Sequence, residues 1–539
     1  MSPTNPSPIS DTTSAEMHWS RWGDPAHAGP LAESAHALVD TFIGTSDTPA
    51  VDPAEVRLSA PLATELLDEL AGIVGAEHVL VDHESRLLRT RGKSTPDLLR
   101  LRAGDGSDSP DAVVRPTTHD EVVALIDWCV RRHVALVPFG GGTSVVGGLA
   151  AKRDGFAGVI SLDLMRFDRL LEVDRTSMTV VLEPGLRGPA AEALLAAEGL
   201  TLGHFPQSFQ YASIGGFAVT RSSGQSSAGY GRFDSLVVGL KVATPQGTLE
   251  LGSSPSNAAG PDLREVIMGS EGAFGVVTAV RLRVRPLPEV RSYEAWRWES
   301  FAAGAAAMRT LAQAGVMPTV LRLSDENETA INLAKPSEVG GESPESTSGG
   351  CLMITGYEGT PEAVEAKRLA VTAILTGLGG ENQGPDSGQA WAEGRFHGPY
   401  LRDSLLDVGV LVETMETVTF WSNLDHVYTS VKDALVGALG EATLVLCHIS
   451  HVYETGASLY FTVATKASDD PLPQWLAAKA AASDAMVHNG ASITHHHAVG
   501  QDHKPWLAQE IGPVGVQILR AVKAELDPTG VLNPGVLIP

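Results

Sequence analysis

The stretch that most constrains this chain is residues 138–149, PFGGGTSVVGGL. An apolar strand over residues 134–139 runs into three consecutive glycines, followed by Thr143 and Ser144. Backbone of this kind turns sharply and aims several N–H groups into one concavity, which makes an anion cradle. It is not a GxGxxG segment opening a helix ~20 residues before an acidic ribose contact, and it lacks the lysine and hydroxyl of a P-loop. Alone, it would be a Gly-rich surface turn.

Its neighbours argue for more. In DAVVRPTTHDEVVALIDWCVRRHVALVPFGGG, a strand over 112–115 stops at Pro116, and Thr118 can cap a helix with Glu121 three residues on. That helix runs to His133, so a strand, helix, strand unit feeds the glycines. Strands over 159–164 and 178–182, separated by a turn, precede a helix over 188–198. A second Gly/Ser-rich region, residues 206–232, is too long for a simple connection and reads as wrapped around something. A hairpin follows, and then a third glycine loop, residues 269–275, enters a strand of alternating Val and Arg, one face buried and one wet.

At 539 residues the chain exceeds one core and suggests three domains or two large ones. A net charge of -25 argues against nucleic acid and against adhesion to anionic lipid through bulk charge, and no apolar run is long enough to span a bilayer. Cys129, Cys351 and Cys447 form no CxxC pair and read as buried thiols in a reducing compartment. Residues 1–16 lack the basic and apolar regions of a secretory signal and read as a disordered tail on a cytoplasmic protein. Residues 17–57 hold Trp19, Trp22 and a weak helical pattern without an assignable function; residues 60–74 read as a helix ending at Gly75.

The three loops in this order, PFGGGTSVVGG, PQSFQYASIGGFAVTRSSG and GSEGAFGVV, resemble the FAD-binding (PCMH-type) domain of the vanillyl-alcohol oxidase flavoprotein superfamily. The resemblance implies an α+β fold, a two-subdomain FAD-binding domain plus an α+β cap. It implies that Gly140, Gly141, Gly142, Thr143 and Ser144 hold the diphosphate, with Pro138, Pro206, Ser208, Ser213, Gly216, Thr220, Ser270, Glu271 and Gly275 adding cofactor contacts. Members that attach FAD covalently carry a histidine in the first loop; Thr143, Ser144 and Val145 stand here, so FAD is expected to be noncovalent. We expect a tail and helical segment over 1–57, the FAD-binding domain over 58–289, the cap over 290–487 with an exposed insert at 335–350, and a returning segment over 488–539.

Two further segments carry titratable groups. In SLYFTVAT, residues 458–465, period-2 alternation puts Tyr460 opposite Leu459 and Phe461, just after His448 and His451. In SITHHHAVG, a strand would put His495 and His497 on one face and His496 on the other, so the run could not give one metal three ligands, and no metal is expected. Neutral imidazoles there suit hydrogen bonding and proton transfer.

With RLSDEN and YLRD, these segments resemble the alkylglycerone-phosphate synthase branch, whose members make ether-lipid precursors. That branch exchanges the acyl group of acyl-dihydroxyacetone phosphate for a fatty alcohol through an adduct at flavin N5, without net oxidation. The resemblance implies Tyr460 as acid/base, His496 and His497 as aids to proton transfer, and Arg322 as an orienting cation, with Arg402, Lys504 and His495 as substrate contacts. It further implies a lipid-like phosphate substrate, a homodimer and a peripheral membrane contact. Ala498 stands where that branch usually has glycine, and Phe461, Thr462 and Val463 replace a longer aromatic stripe. The tail AELDPTGVLNPG resembles D-2-hydroxy acid dehydrogenases of the same superfamily, which remain the alternative, together with a flavin-binding scaffold without catalysis.

Overall fold

Thr118 caps the helix that feeds the glycine loop, as its spacing requires. Its hydroxyl accepts the Glu121 N–H at 3.2 Å, while the Glu121 carboxylate accepts the N–H of Thr118 at 3.3 Å, a reciprocal cap that contributes about 1 kcal/mol. The helix His119–Arg132 ends at left-handed His133, and the chain turns directly into the strand Val134–Phe139. That strand lies parallel to Gly158–Asp163, which lies parallel to Ala112–Val114. The run of Val, Ala, Leu and Ile in these strands is buried almost throughout, as a sheet covered on both faces requires. The computed structural model describes residues 16–27, 31–150, 152–331, 339 and 349–539.

Val134–Phe139 is an edge strand, and the far C-terminal segment partly covers its edge. Leu136 donates to the Val531 carbonyl and accepts from Asn533, both at 2.8 Å. A five-stranded antiparallel sheet follows, ordered Gly247–Leu251, Val237–Thr244, Val276–Arg283, Thr179–Leu182 and Leu170–Asp174. Its last member fills what the sequence suggested was only a turn. Leu170–Asp174 is a half-exposed edge strand whose two acidic side chains hid the pattern.

Residues 290–466 build a seven-stranded antiparallel sheet, with Cys351–Gly359, Val320–Ser324, Leu444–Ile449, Gly456–Lys466 and Val410–Phe420 as five consecutive neighbours. The helices Phe301–Gln313, Pro361–Gly377, Leu424–Leu439 and Pro471–His488 share one core with a single face of this sheet, through Met308, Val371, Val431 and Trp475. Leu459 and Phe461 point into that core and Tyr460 points to the other face, as alternation predicts. The three cysteines are free and buried. The expected tail and most of the 335–350 insert lie outside the described residues.

Candidate active site

A cavity of about 710 Å³ opens between the glycine loops and the face of the seven-stranded sheet that carries Tyr460. All the cofactor residues nominated from the sequence line it except Ser270, which is buried beside the wall. The loops interlock by close backbone approach: a Cβ on Gly141 would sit 1.9 Å from the Tyr211 carbonyl oxygen. The N–H groups of residues 141–145 have no acceptor among the described residues, although these residues line the cavity. Unpaired N–H groups flanked by the hydroxyls of Thr143, Ser144, Ser213 and Thr220 suit a diphosphate, so this half of the cavity fits FAD. Glu271 ties the third loop to the C-terminal segment by accepting the Gly500 N–H at 2.8 Å, and burial pushes its carboxyl up to about 7.

The facing wall is set by strand register. Glu416, Tyr460 and His448 form one cross-strand row; Thr414, Thr462 and Leu446 form the next, and Val412, Ala464 and Leu444 the third. Alternation brings all three rows to the same face, so the sheet grades from titratable to apolar over four residues, ~13 Å. Beyond the third row the lining continues into Leu38, Val39 and Phe42 of the helix Glu33–Phe42. The function of that N-terminal segment was not legible in the sequence.

In the first row the Tyr460 and His448 rings stack at 4.7 Å with 19° between their planes. His448 Nδ1 lies 3.1 Å from both the Arg322 guanidinium and the Glu328 carboxylate, which also pairs with Arg322 and accepts the Ser324 hydroxyl at 2.9 Å. Burial together with the Arg322 charge pushes His448 below its usual pKa. Burial alone would raise the Glu328 carboxyl, but Arg322 and His448 hold it at about 2. Arg322 keeps its buried Nε–H without a partner among the described residues, at the cavity wall. Burial pushes Tyr460 up to about 12, so it is a phenol near neutral pH.

The histidine run is a turn, not the strand considered from the sequence, and a carboxylate organises it. Glu416 accepts the backbone N–H of His495 at 2.6 Å, of His496 at 3.1 Å and of His497 at 3.0 Å, besides the Thr494 hydroxyl at 2.6 Å. The turn redistributes the rings. His496 lies parallel to Tyr460 at 6.0 Å and His497 sits edge-on to it at 5.6 Å, both lining the cavity. His495 instead turns to a second cavity of about 260 Å³. It meets His496 Nδ1 to Nδ1 at 2.9 Å and stacks on His451 at 4.8 Å, so its expected substrate contact gives way to contacts behind the wall. Burial pushes all three imidazoles down, His497 to about 3. Against the burial of Glu416 itself, these histidines and the Thr494 hydroxyl hold its carboxyl far below the usual range.

Arg402 lines the cavity, braced by Asp403 at 2.9 Å and the Lys93 carbonyl at 2.6 Å. Lys504 does not: its ammonium donates to the Gly535 carbonyl at 2.6 Å, which corrects the phosphate role suggested by its sequence context. Glu416 and Glu328 were missed because an isolated acid in a strand or short helix carries no local signal.

Residues 287–537 match a family model described as FAD linked oxidases, C-terminal domain, and residues 110–252 match one described as FAD binding domain. The chain is 33% identical to alkyldihydroxyacetonephosphate synthase of Dictyostelium discoideum, over 92% of this chain and 84% of that protein. It is 31% identical to the protein of the same name from Trypanosoma brucei brucei, over 97% of this chain and 92% of the relative. A solved structure of an alkyldihydroxyacetonephosphate synthase superposes with a TM-score of 0.83 at 28% identity, covering 97% of this chain and 99% of that one.

Proposed function

The chain belongs to the alkyldihydroxyacetonephosphate synthase family, and we propose that it exchanges the acyl group of an acylated dihydroxyacetone phosphate for a fatty alcohol in the cavity described above. It is an FAD-dependent enzyme of that type. One observation carries the substrate reading: Tyr460, His496, His497, Arg322 and Arg402 converge on a cavity that has a glycine cradle on one side and an apolar extension beyond. A cofactor diphosphate suits the cradle, a reacting carbon and its phosphate headgroup suit the titratable groups with Arg402, and an alkyl chain suits the apolar extension.

FAD, when bound, supplies an electrophilic centre for the reacting carbon, so the exchange needs no net oxidation. Residues 141–145 would hold its diphosphate, noncovalently, because Thr143, Ser144 and Val145 offer no imidazole or thiol. The chain's own groups manage the proton on the reacting carbon. Tyr460, a phenol at rest, donates, and the neutral imidazoles of His496 and His497 beside its ring accept. Arg322 offers its unpaired Nε–H to developing negative charge on oxygen. Arg402, always charged and held rigid, meets the phosphate.

We further read the protein as a cytoplasmic homodimer touching membranes at the cavity mouth, where Phe42 is 69% exposed. Among the described residues no helix is long and apolar enough to cross a bilayer. The test is to mix the FAD-loaded protein with acyl-dihydroxyacetone phosphate and labelled fatty alcohol, expecting labelled ether product and free fatty acid. Bleaching of the flavin by a D-2-hydroxy acid, without ether product, would overturn the reading in favour of net oxidation.

A further inference from the structure

His496 is one end of an unbroken line of hydrogen bonds. Its Nδ1 lies 2.9 Å from Nδ1 of His495, and His495 Nε2 lies 2.5 Å from the hydroxyl of Tyr453. Tyr453 is half-buried at the turn before the strand Gly456–Lys466, and Arg232, which with His495 lines the second cavity, stands beside its hydroxyl. We propose that His496, His495 and Tyr453 form a proton relay that carries the proton removed from the substrate carbon away from the reacting centre to solvent.

The two facing Nδ1 atoms share one proton, which couples the two tautomers. In the receiving state His496 Nδ1–H donates to His495 Nδ1, His495 Nε2–H donates to the Tyr453 oxygen, and the Tyr453 hydroxyl donates outward. A proton arriving at His496 Nε2 then displaces each proton one step along, and the outermost leaves Tyr453 for water. Afterwards His496 carries Nε2–H, His495 carries Nδ1–H, and Tyr453 donates to His495 Nε2. No group has gained or lost net charge, and the reverse sequence returns a proton to the carbon.

The surroundings serve this role more than a purely structural one. Glu416 fixes the backbone of the run, so the rings hold their spacing. His451 stacks on His495 while its Nδ1 is taken by Ser223 at 3.0 Å and Ser227 at 2.8 Å, so it braces the relay without branching it through that nitrogen. Burial keeps the imidazoles weakly basic, so no station traps the proton.

The inference rests on the proposed exchange reaction, and its test separates the two. The FAD-loaded enzyme turns over acyl-dihydroxyacetone phosphate deuterated at the reacting carbon, in ordinary water, and deuterium in the ether product is measured. The wild type is expected to wash out the one deuteron it abstracts from that carbon and to keep the other. Tyr453→Phe, which removes only the outer oxygen, should raise retention of the abstracted deuteron several-fold at unchanged FAD absorbance, because the proton can then only return. His495→Gln, which fills the position without a ring that passes protons, should do the same. Ether product with equal retention in wild type and variants would overturn the relay alone. No ether product from wild type would overturn the exchange reading and the relay with it.

Discussion

The Glu416 carboxylate accepts the His495 backbone N–H at 2.6 Å and so fixes where the histidine turn begins. Two more N–H groups and a hydroxyl complete its shell, and the whole is buried. Removing the charge of a carboxylate that satisfies four donors costs the hydrogen bonds and leaves the donors desolvated, on the order of 3 kcal/mol. Glu416→Gln should therefore lower the urea midpoint and reduce turnover together, because His496 and His497 lose their orientation toward Tyr460. An unchanged midpoint would show that the turn holds without the carboxylate.

Acid should destabilise the protein earlier than ordinary carboxylates would. His497 is held at about 3 in the fold against about 6.5 when unfolded, so below pH 6.5 the unfolded chain binds the extra proton. That group alone removes about 2 kcal/mol between pH 7 and pH 5. Glu328, depressed to about 2, adds stability that is present above about pH 4.3 and lost as pH falls through 2. Denaturation midpoints across pH 7 to 4 should fall steadily for wild type and less steeply for His497→Gln.

Tyr460→Phe and His497→Ala should keep the yellow colour of bound FAD and lose turnover, since both side chains stand on the far wall from the glycine cradle. A positioned acid or base is worth about 10²- to 10⁴-fold, so each variant should fall by that order in kcat. Full activity in both would remove these residues from the chemistry.

Gly141→Val should fail differently. Its Cβ would lie 1.9 Å from the Tyr211 backbone carbonyl, so the first two loops could no longer meet. Purified protein lacking flavin absorbance is expected; a normal spectrum would show that the loops can part without losing the cofactor.

What the sequence disclosed follows from the range of the interactions involved. The unit over 112–139 was legible because Thr118, Glu121 and the alternating periods are local, and Tyr460 faces the cavity because alternation is strict along its strand. The histidine turn was not legible, because its organiser Glu416 lies 79 residues before His495. Lys504 was misplaced for the same reason: a cation beside a suggestive run reaches whatever acceptor the fold brings, here the Gly535 carbonyl. The strand Leu170–Asp174 sits at a sheet edge, where polar residues are tolerated and the apolar period fades.

The graded wall leads to a prediction about substrate length. Tyr460, Thr462 and Ala464 point to the cavity in succession, and Ala464 is the smallest side chain of the third, apolar row. Its cross-strand neighbours Val412 and Leu444 leave the alanine as the gap through which an alkyl chain passes toward Phe42. Ala464→Phe would fill that gap while leaving the first row, two pairs away, untouched. Long fatty alcohols should then show a raised KM with little change in kcat, each lost buried methylene costing about 0.8 kcal/mol. Short alcohols that end before the third row should react as in wild type. Equal losses for short and long alcohols would mean that the chain leaves the cavity by another path.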